Sequence, residues 1–107
     1  MEKRFLRTAS LIGEEKLNRL NKSTVAVFGI GGVGSYALEA LVRSGVGTVY
    51  IYDNDTVAES NINRQLIALS SSVGEYKTSV AKKRCLDINP DVKIFDNCVF
   101  VTPNTEI

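Results

Sequence analysis

At 107 residues, with 13 Lys and Arg against 12 Asp and Glu and a net charge of +1, the chain has room for one domain and lacks the basic excess of a dedicated nucleic-acid binder. Hydrophobic residues make up 44%, an ordinary share for a globular protein, and no apolar run approaches the roughly 20 residues needed to cross a bilayer. There is no histidine, which removes imidazole acid–base catalysis, and the two cysteines, Cys85 and Cys98, form neither a CxxC pair nor a disulfide framework.

The opening Met1-Glu2-Lys3-Arg4 leads into polar, helical sequence without the apolar core of a signal peptide, so a cytoplasmic protein is expected. Leu6 to Leu20 predicts one amphipathic helix, with Leu11, Ile12, Leu17 and Leu20 at helical spacing, closed by Asn21-Lys22-Ser23. Thr24 to Phe28 is a short apolar run of the kind buried on both faces of a parallel sheet. It runs into Gly29-Ile30-Gly31-Gly32-Val33-Gly34, and a helix from Ser35 to Ser44 follows, stopped by Gly45. Thr48 to Tyr52 predicts a second buried strand ending at Asp53. Residues 54–74 are polar and weakly periodic around Leu66-Ile67-Ala68-Leu69, as expected of a functional loop with one helical turn. Lys77 to Ile88 predicts a helix with Val80, Ala81 and Cys85 on its apolar face, broken by Asn89-Pro90. Val92 to Phe95 is a third strand, which Cys98 to Val101 continues or follows after a bulge. Thr102 and Pro103 have the order of an N-cap and first residue of a further helix. Strands alternating with helices define an α/β domain with a parallel sheet.

A strand, a glycine loop and a helix in that order make a phosphate-binding fingerprint. Gly29 permits the turn, Gly31 lets backbone approach phosphate, and Gly34 allows close packing of helix on strand. The helix start offers unpaired N–H groups and a positive dipole end to an anion. Asp53, nineteen residues after Gly34, stands where a carboxylate accepts ribose hydroxyls. The fingerprint alone favours NAD and an NAD(P)-binding oxidoreductase. The stretch that follows, Asp53-Asn54-Asp55-Thr56-Val57-Ala58-Glu59-Ser60-Asn61-Ile62-Asn63-Arg64-Gln65, argues for a mononucleotide instead. It gathers amides and one arginine where a triphosphate would extend, and Lys77 adds a second cation at a helix start.

Taken together, Gly29-x-Gly31-Gly32-x-Gly34, Asp53-x-Asp55, Ser60-Asn61-x-x-Arg64-Gln65 and Lys77 resemble the ThiF/MoeB/HesA family of E1-like adenylating enzymes over essentially the whole chain. Within it, Lys3 to Phe5, Thr8 to Glu15, the Phe28–Ser35 loop and the Ile88–Pro103 segment look closest to the tRNA threonylcarbamoyladenosine dehydratase branch. The resemblance implies a Rossmann-type parallel sheet with flanking helices, preceded by a helix. Residues 1–107 would be the N-terminal half of an E1-like adenylation domain, with the C-terminal part absent. It implies ATP and Mg2+ as cofactors. Gly32 would back onto the phosphates, Asp53 hold the ribose, Asn61 and Arg64 bind the phosphates, and Lys77 stabilise charge on the α-phosphate. Asp55 would act through water or a metal ion, or serve only as an Asx-turn former. Arg7 would be either an arginine finger reaching a partner subunit's ATP in a homodimer or a solvated surface residue. The magnesium-holding aspartate is expected beyond Ile107. The implied reaction is adenylation of a carboxylate, on threonylcarbamoyladenosine in tRNA or on the C-terminal glycine of a ubiquitin-like sulfur carrier, with a sulfur-relay partner in the second case. Lys82-Lys83-Arg84 reads as a solvated helix face rather than a tRNA contact, and both cysteines read as core.

Overall fold

In a computed structural model that describes residues 2–105, three parallel strands carry helices on one face, and the α/β expectation holds. A short 3-10 turn, Lys3–Phe5, leads into helix α1 (Leu6–Ile12) and helix α2 (Glu14–Asn21). The sequence predicted a single helix here. Gly13 divides it: at φ +89° it takes a conformation that costs other L-residues steric strain, accepts Leu17 N–H and donates its own N–H to Ala9. The change of axis brings Phe5, Ala9 and Leu17 into a small core of their own. Leu11, expected on the apolar face, is left 85% exposed.

Strand β1 (Thr24–Phe28), helix α3 (Gly32–Ser44), strand β2 (Thr48–Tyr52), helix α4 (Lys77–Ile88) and strand β3 (Lys93–Asn97) follow, giving two parallel crossovers in the order β1-β2-β3. Val25 pairs with Val49 and Val49 with Ile94, so the side chains of one face stay in step across the sheet. Both crossovers advance in the same direction. Since such connections share one hand, α3 and α4 fall on the same face. Val27, Val49, Ile51 and Ile94 pack there against Leu38, Val42, Ala81 and Cys85. Each such side chain taken from water contributes about 1.5–3 kcal/mol before entropy is counted.

The opposite face corrects the expectation of strands buried on both sides. Ala26, Phe28, Tyr50 and Phe95 are exposed there, and stacking of Phe28 on Tyr52 and of Tyr50 on Phe95 covers only part of their rings. The third strand starts one residue later and ends two residues later than read, and Val92 belongs to the turn before it. Residues 98–101 do not continue it, and Cys98 is exposed rather than core. Thr102–Thr105 is a turn closed by Thr105 N–H on Thr102 O and by Thr102 N–H on Thr105 Oγ1; Pro103 and Asn104, expected to open a helix, lie in that turn, and the expected continuation lies outside the described residues. Among the described residues no helix is long and apolar enough to cross a membrane.

Candidate nucleotide-binding site

The glycine loop sits at the C-terminal end of β1, where parallel α/β sheets place their ligands. Its geometry is set by a backbone contact. A Cβ on Gly34 would stand 1.8 Å from the carbonyl oxygen of Gly29, so only glycine lets α3 start so close to β1. Asp53, at the end of β2, fastens the loop from behind: Oδ2 accepts Ile30 N–H at 2.7 Å and Oδ1 accepts Asp55 N–H at 2.8 Å. The second bond is an Asx turn. Asp53, not Asp55, therefore forms it, and each carboxylate oxygen of Asp53 keeps acceptor capacity for a hydroxyl group.

A cavity of about 440 Å³ opens in front of the loop. Gly29, Gly31, Asp53, Asn54, Asp55 and Lys77 form its polar lining, and Phe28, Tyr52, Val99, Phe100 and Val101 its apolar lining. A larger cavity, about 510 Å³, lies at the other end of the strands, between α2 and the Asn89–Lys93 turn. Among its lining residues Lys93 is the sole cation, against Glu2, Glu14 and Asp91, so the smaller cavity is the better anion site.

Lys77 dominates the electrostatics. Its side chain is only 8% exposed, and the carboxylate within ion-pair range is Asp55, at 3.9 Å and itself two-thirds exposed. An ammonium buried with one distant, solvated partner is poorly compensated, so an anion in the cavity gains from it. Asp55 further accepts Lys77 N–H on its carbonyl at 3.0 Å, which anchors the start of α4 to the end of β2.

The remaining expected residues do not line the cavity. Gly32 and Gly34 lie in the first turn of α3, behind Gly31. Asn61 is buried, and its Oδ1 accepts Ala58 N–H at 2.8 Å, closing the 3-10 turn Glu59–Asn61 and leaving its amide N–H groups as donors. Arg64 is exposed and spends Nη1 on Ser60 O and Asn63 Oδ1, both at 3.0 Å, while its backbone lies against Gly32. Arg7 is exposed on α1. No cluster of three acidic, cysteine or histidine side chains suited to a metal ion occurs among the described residues.

Sequence reasoning missed the apolar lining. The one signal for it was the aromatic residue closing each of β1 and β2, Phe28 and Tyr52, directly before the loop and the acid. It also gave no role to Ser35, or to Gln65 beyond its place in the Ser60–Gln65 motif, although both touch the loop. Each side chain of the basic run on α4 has an acidic partner, Asp96 for Lys82, Glu75 for Lys83 and Glu39 for Arg84, the last shared with Arg43. Arg84, helped by Arg43, holds the Glu39 carboxyl below its usual range. Burial, with Glu39 nearby, pushes the Cys85 thiol up to about 11, so it is a core residue and not a nucleophile.

A parallel sheet with a glycine loop, a strand-end acid and a buried lysine around one cavity has the build of a Rossmann-type nucleotide-binding domain. Sequence and structural relatives narrow the class. The ThiF family profile matches residues 3–106, and the chain belongs to that family. A tRNA threonylcarbamoyladenosine dehydratase of Bacillus subtilis is 50% identical over 101 residues, 94% of this chain and 40% of that protein. The crystal structure of the Escherichia coli tRNA N6-threonylcarbamoyladenosine dehydratase in complex with ATP superposes with a TM-score of 0.94 at 43% identity, over 95% of this chain and 42% of that one. An adenylyltransferase and sulfurtransferase of Candida glabrata is 49% identical over 76 residues, 71% of this chain and 18% of that protein. The chain thus spans about 40% of the dehydratases it matches.

Proposed function

We propose that this chain carries the nucleotide half of an ATP-dependent adenylating site whose substrate is the carboxylate of threonylcarbamoyladenosine in tRNA. The observation that carries the reading is Lys77: a buried, under-compensated ammonium facing a cavity whose other side is a glycine loop and helix start. The apolar lining of Phe28, Val99, Phe100 and Val101 suits a base, Asp53 suits ribose hydroxyls, and the start of α3 suits phosphate.

In the reaction so read, a carboxylate oxygen attacks the α-phosphorus of ATP, the bond to the β-phosphate breaks, and pyrophosphate leaves an acyl-adenylate. A neighbouring group of the same modified nucleoside then attacks the acyl carbon and expels AMP, closing a ring with net loss of water. Negative charge grows on phosphate oxygens in the first step. Lys77 and the loop N–H groups are fixed in place to meet it, and one such preorganised donor is worth about 2.7–4 kcal/mol. Arg64 and the amide of Asn61 would turn toward the outer phosphates. Magnesium would arrive with the triphosphate, and no step is assigned to it. Arg7, exposed beside the uncovered Leu6 and Leu11, would act across a homodimer on the partner's nucleotide. A cytoplasmic location fits a chain whose two cysteines are free.

The adenylyltransferase relative supports a second reading, activation of the C-terminal glycine of a ubiquitin-like sulfur carrier. A chimera decides between them: residues 1–107 replace the matching segment of the Bacillus subtilis dehydratase, and ATP–pyrophosphate exchange is followed. Exchange that needs tRNA bearing the modification supports the proposal. Exchange that needs a carrier protein supports the second reading, and tight NADH binding without ATP binding overturns both.

A further inference from the structure

Four serines in this molecule donate a hydroxyl hydrogen bond to the carbonyl four residues back: Ser10 to Leu6, Ser23 to Arg19, Ser35 to Gly31 and Ser44 to Ala40. This is an ordinary habit of serine in and around helices. Ser35 differs from the other three in two respects. It is 2% exposed, and its Oγ also accepts a hydrogen bond from Leu66 N–H at 3.2 Å, across 31 residues of chain.

The two bonds of that hydroxyl join the two halves of the phosphate site. On one side, Gly31 O receives both Ser35 Oγ–H at 2.6 Å and Ser35 N–H at 3.0 Å. A carbonyl held twice fixes its peptide plane, and the plane fixes Gly32 N–H, which points the opposite way, out of the helix start toward an anion. On the other side, Leu66 N–H ends the segment carrying Arg64 and Gln65. That segment lies on the loop: the Arg64 carbonyl is 3.8 Å from a Cβ built on Gly32, and Gln65 Nε2 is 3.9 Å from one built on Gly31. Gln65 is itself 7% exposed, with its Oε1 buried and without a hydrogen-bond partner. The side chain of Gln65 therefore adds contact but no bond to this junction, and Ser35 makes the polar tie.

We propose that Ser35 is a positioning residue for the phosphate site: its hydroxyl sets Gly32 N–H and the Arg64 segment at a fixed mutual distance before nucleotide arrives. It does not touch the nucleotide; it acts through the Gly31–Gly32 peptide and through Leu66. This deepens, and rests on, the reading of the cavity as an ATP site.

The test compares Ser35→Ala with Ser44→Ala, which removes the same local bond from an exposed serine, and with Ser35→Thr, which restores the hydroxyl. Amide exchange of Leu66 and calorimetric affinities for ATP and for adenosine are read on each. Ser35→Ala is expected to speed Leu66 exchange and to weaken ATP by about tenfold, the effect of one hydrogen bond. Adenosine, which has no phosphate, should bind as before, Ser44→Ala should change nothing, and Ser35→Thr should recover most of the loss. Unchanged Leu66 exchange in Ser35→Ala overturns the tie. Equal weakening of ATP and adenosine overturns the positioning role, since general loosening of the fold would act on both. A wild-type chain that binds no ATP overturns the nucleotide reading instead, and the exchange data still decide the tie.

Discussion

The glycine loop and the segment of residues 54–77 both border one cavity but are built on different principles. The loop is backbone: a close approach of Gly34 to Gly29, a positive helix end, and peptide groups pinned by Asp53 and Ser35. The segment is side chains: a buried lysine, an amide used as a turn closure, an exposed arginine. A backbone device tolerates almost no substitution, because its atoms have nowhere else to go. A side-chain device can lose a group and keep its shape. The loop should therefore fail by unfolding and the segment by losing affinity.

Gly34→Ala is the sharpest way to break the contrast. Its methyl would meet a backbone oxygen that cannot yield, so β1 and α3 must separate; a loss of at least about 3 kcal/mol is expected, out of a typical total of about 5–15. Thermal unfolding should show a large drop together with loss of ATP binding. Lys77→Met should act in the opposite sense on the two quantities. Removing a poorly compensated buried charge should leave stability unchanged or raise it by about 1 kcal/mol. ATP affinity should fall by about a hundredfold, a result calorimetry and melting curves read side by side. Should Lys77→Met unfold the protein, the lysine would be structural and the contrast would collapse. Arg64→Ala should cost about tenfold in ATP affinity and leave the melting temperature within about 1 °C, since the side chain is exposed and bonds only its own segment.

The helix pair behind the loop gives the smallest effect. The Glu39 carboxyl lies below its ordinary value because Arg84 and Arg43 bond its charged form, so the folded state gains from it above about pH 4.5 and loses that gain as pH falls through the depressed folded value. Cys85 works at the other end. Its folded value of about 11 stands above the ordinary 9.0, so between those two values the unfolded chain releases a proton the native chain keeps, and stability falls as pH rises. Urea unfolding at intervals from pH 3 to 11 should show both slopes, and Glu39→Gln and Cys85→Ala should each flatten one.

What the sequence disclosed follows the same division. Strand, loop and helix were legible because buried Val and Ile runs and spaced glycines are local signals, and Asp53 and Lys77 were legible by position relative to them. Gly13 was in plain view, but a glycine inside a helical pattern does not reveal that φ is positive, so one helix was expected where two form. The uncovered face of the sheet was not legible either, since an apolar strand reads alike whether one face or both are packed, and the cover depends on chain direction and handedness. Cys98 and Leu11 carried core-like identities into exposed places for the same reason. The tie made by Ser35 depends on a contact 31 residues away, which no local pattern encodes.

The measurement that bears most directly on the central claim is calorimetric titration of the 107-residue protein with ATP and, separately, with NADH, repeated on Lys77→Met. The account predicts binding of ATP that weakens about a hundredfold in the variant, and no comparable binding of NADH. NADH bound more tightly than ATP, or ATP bound equally well by Lys77→Met, would contradict it.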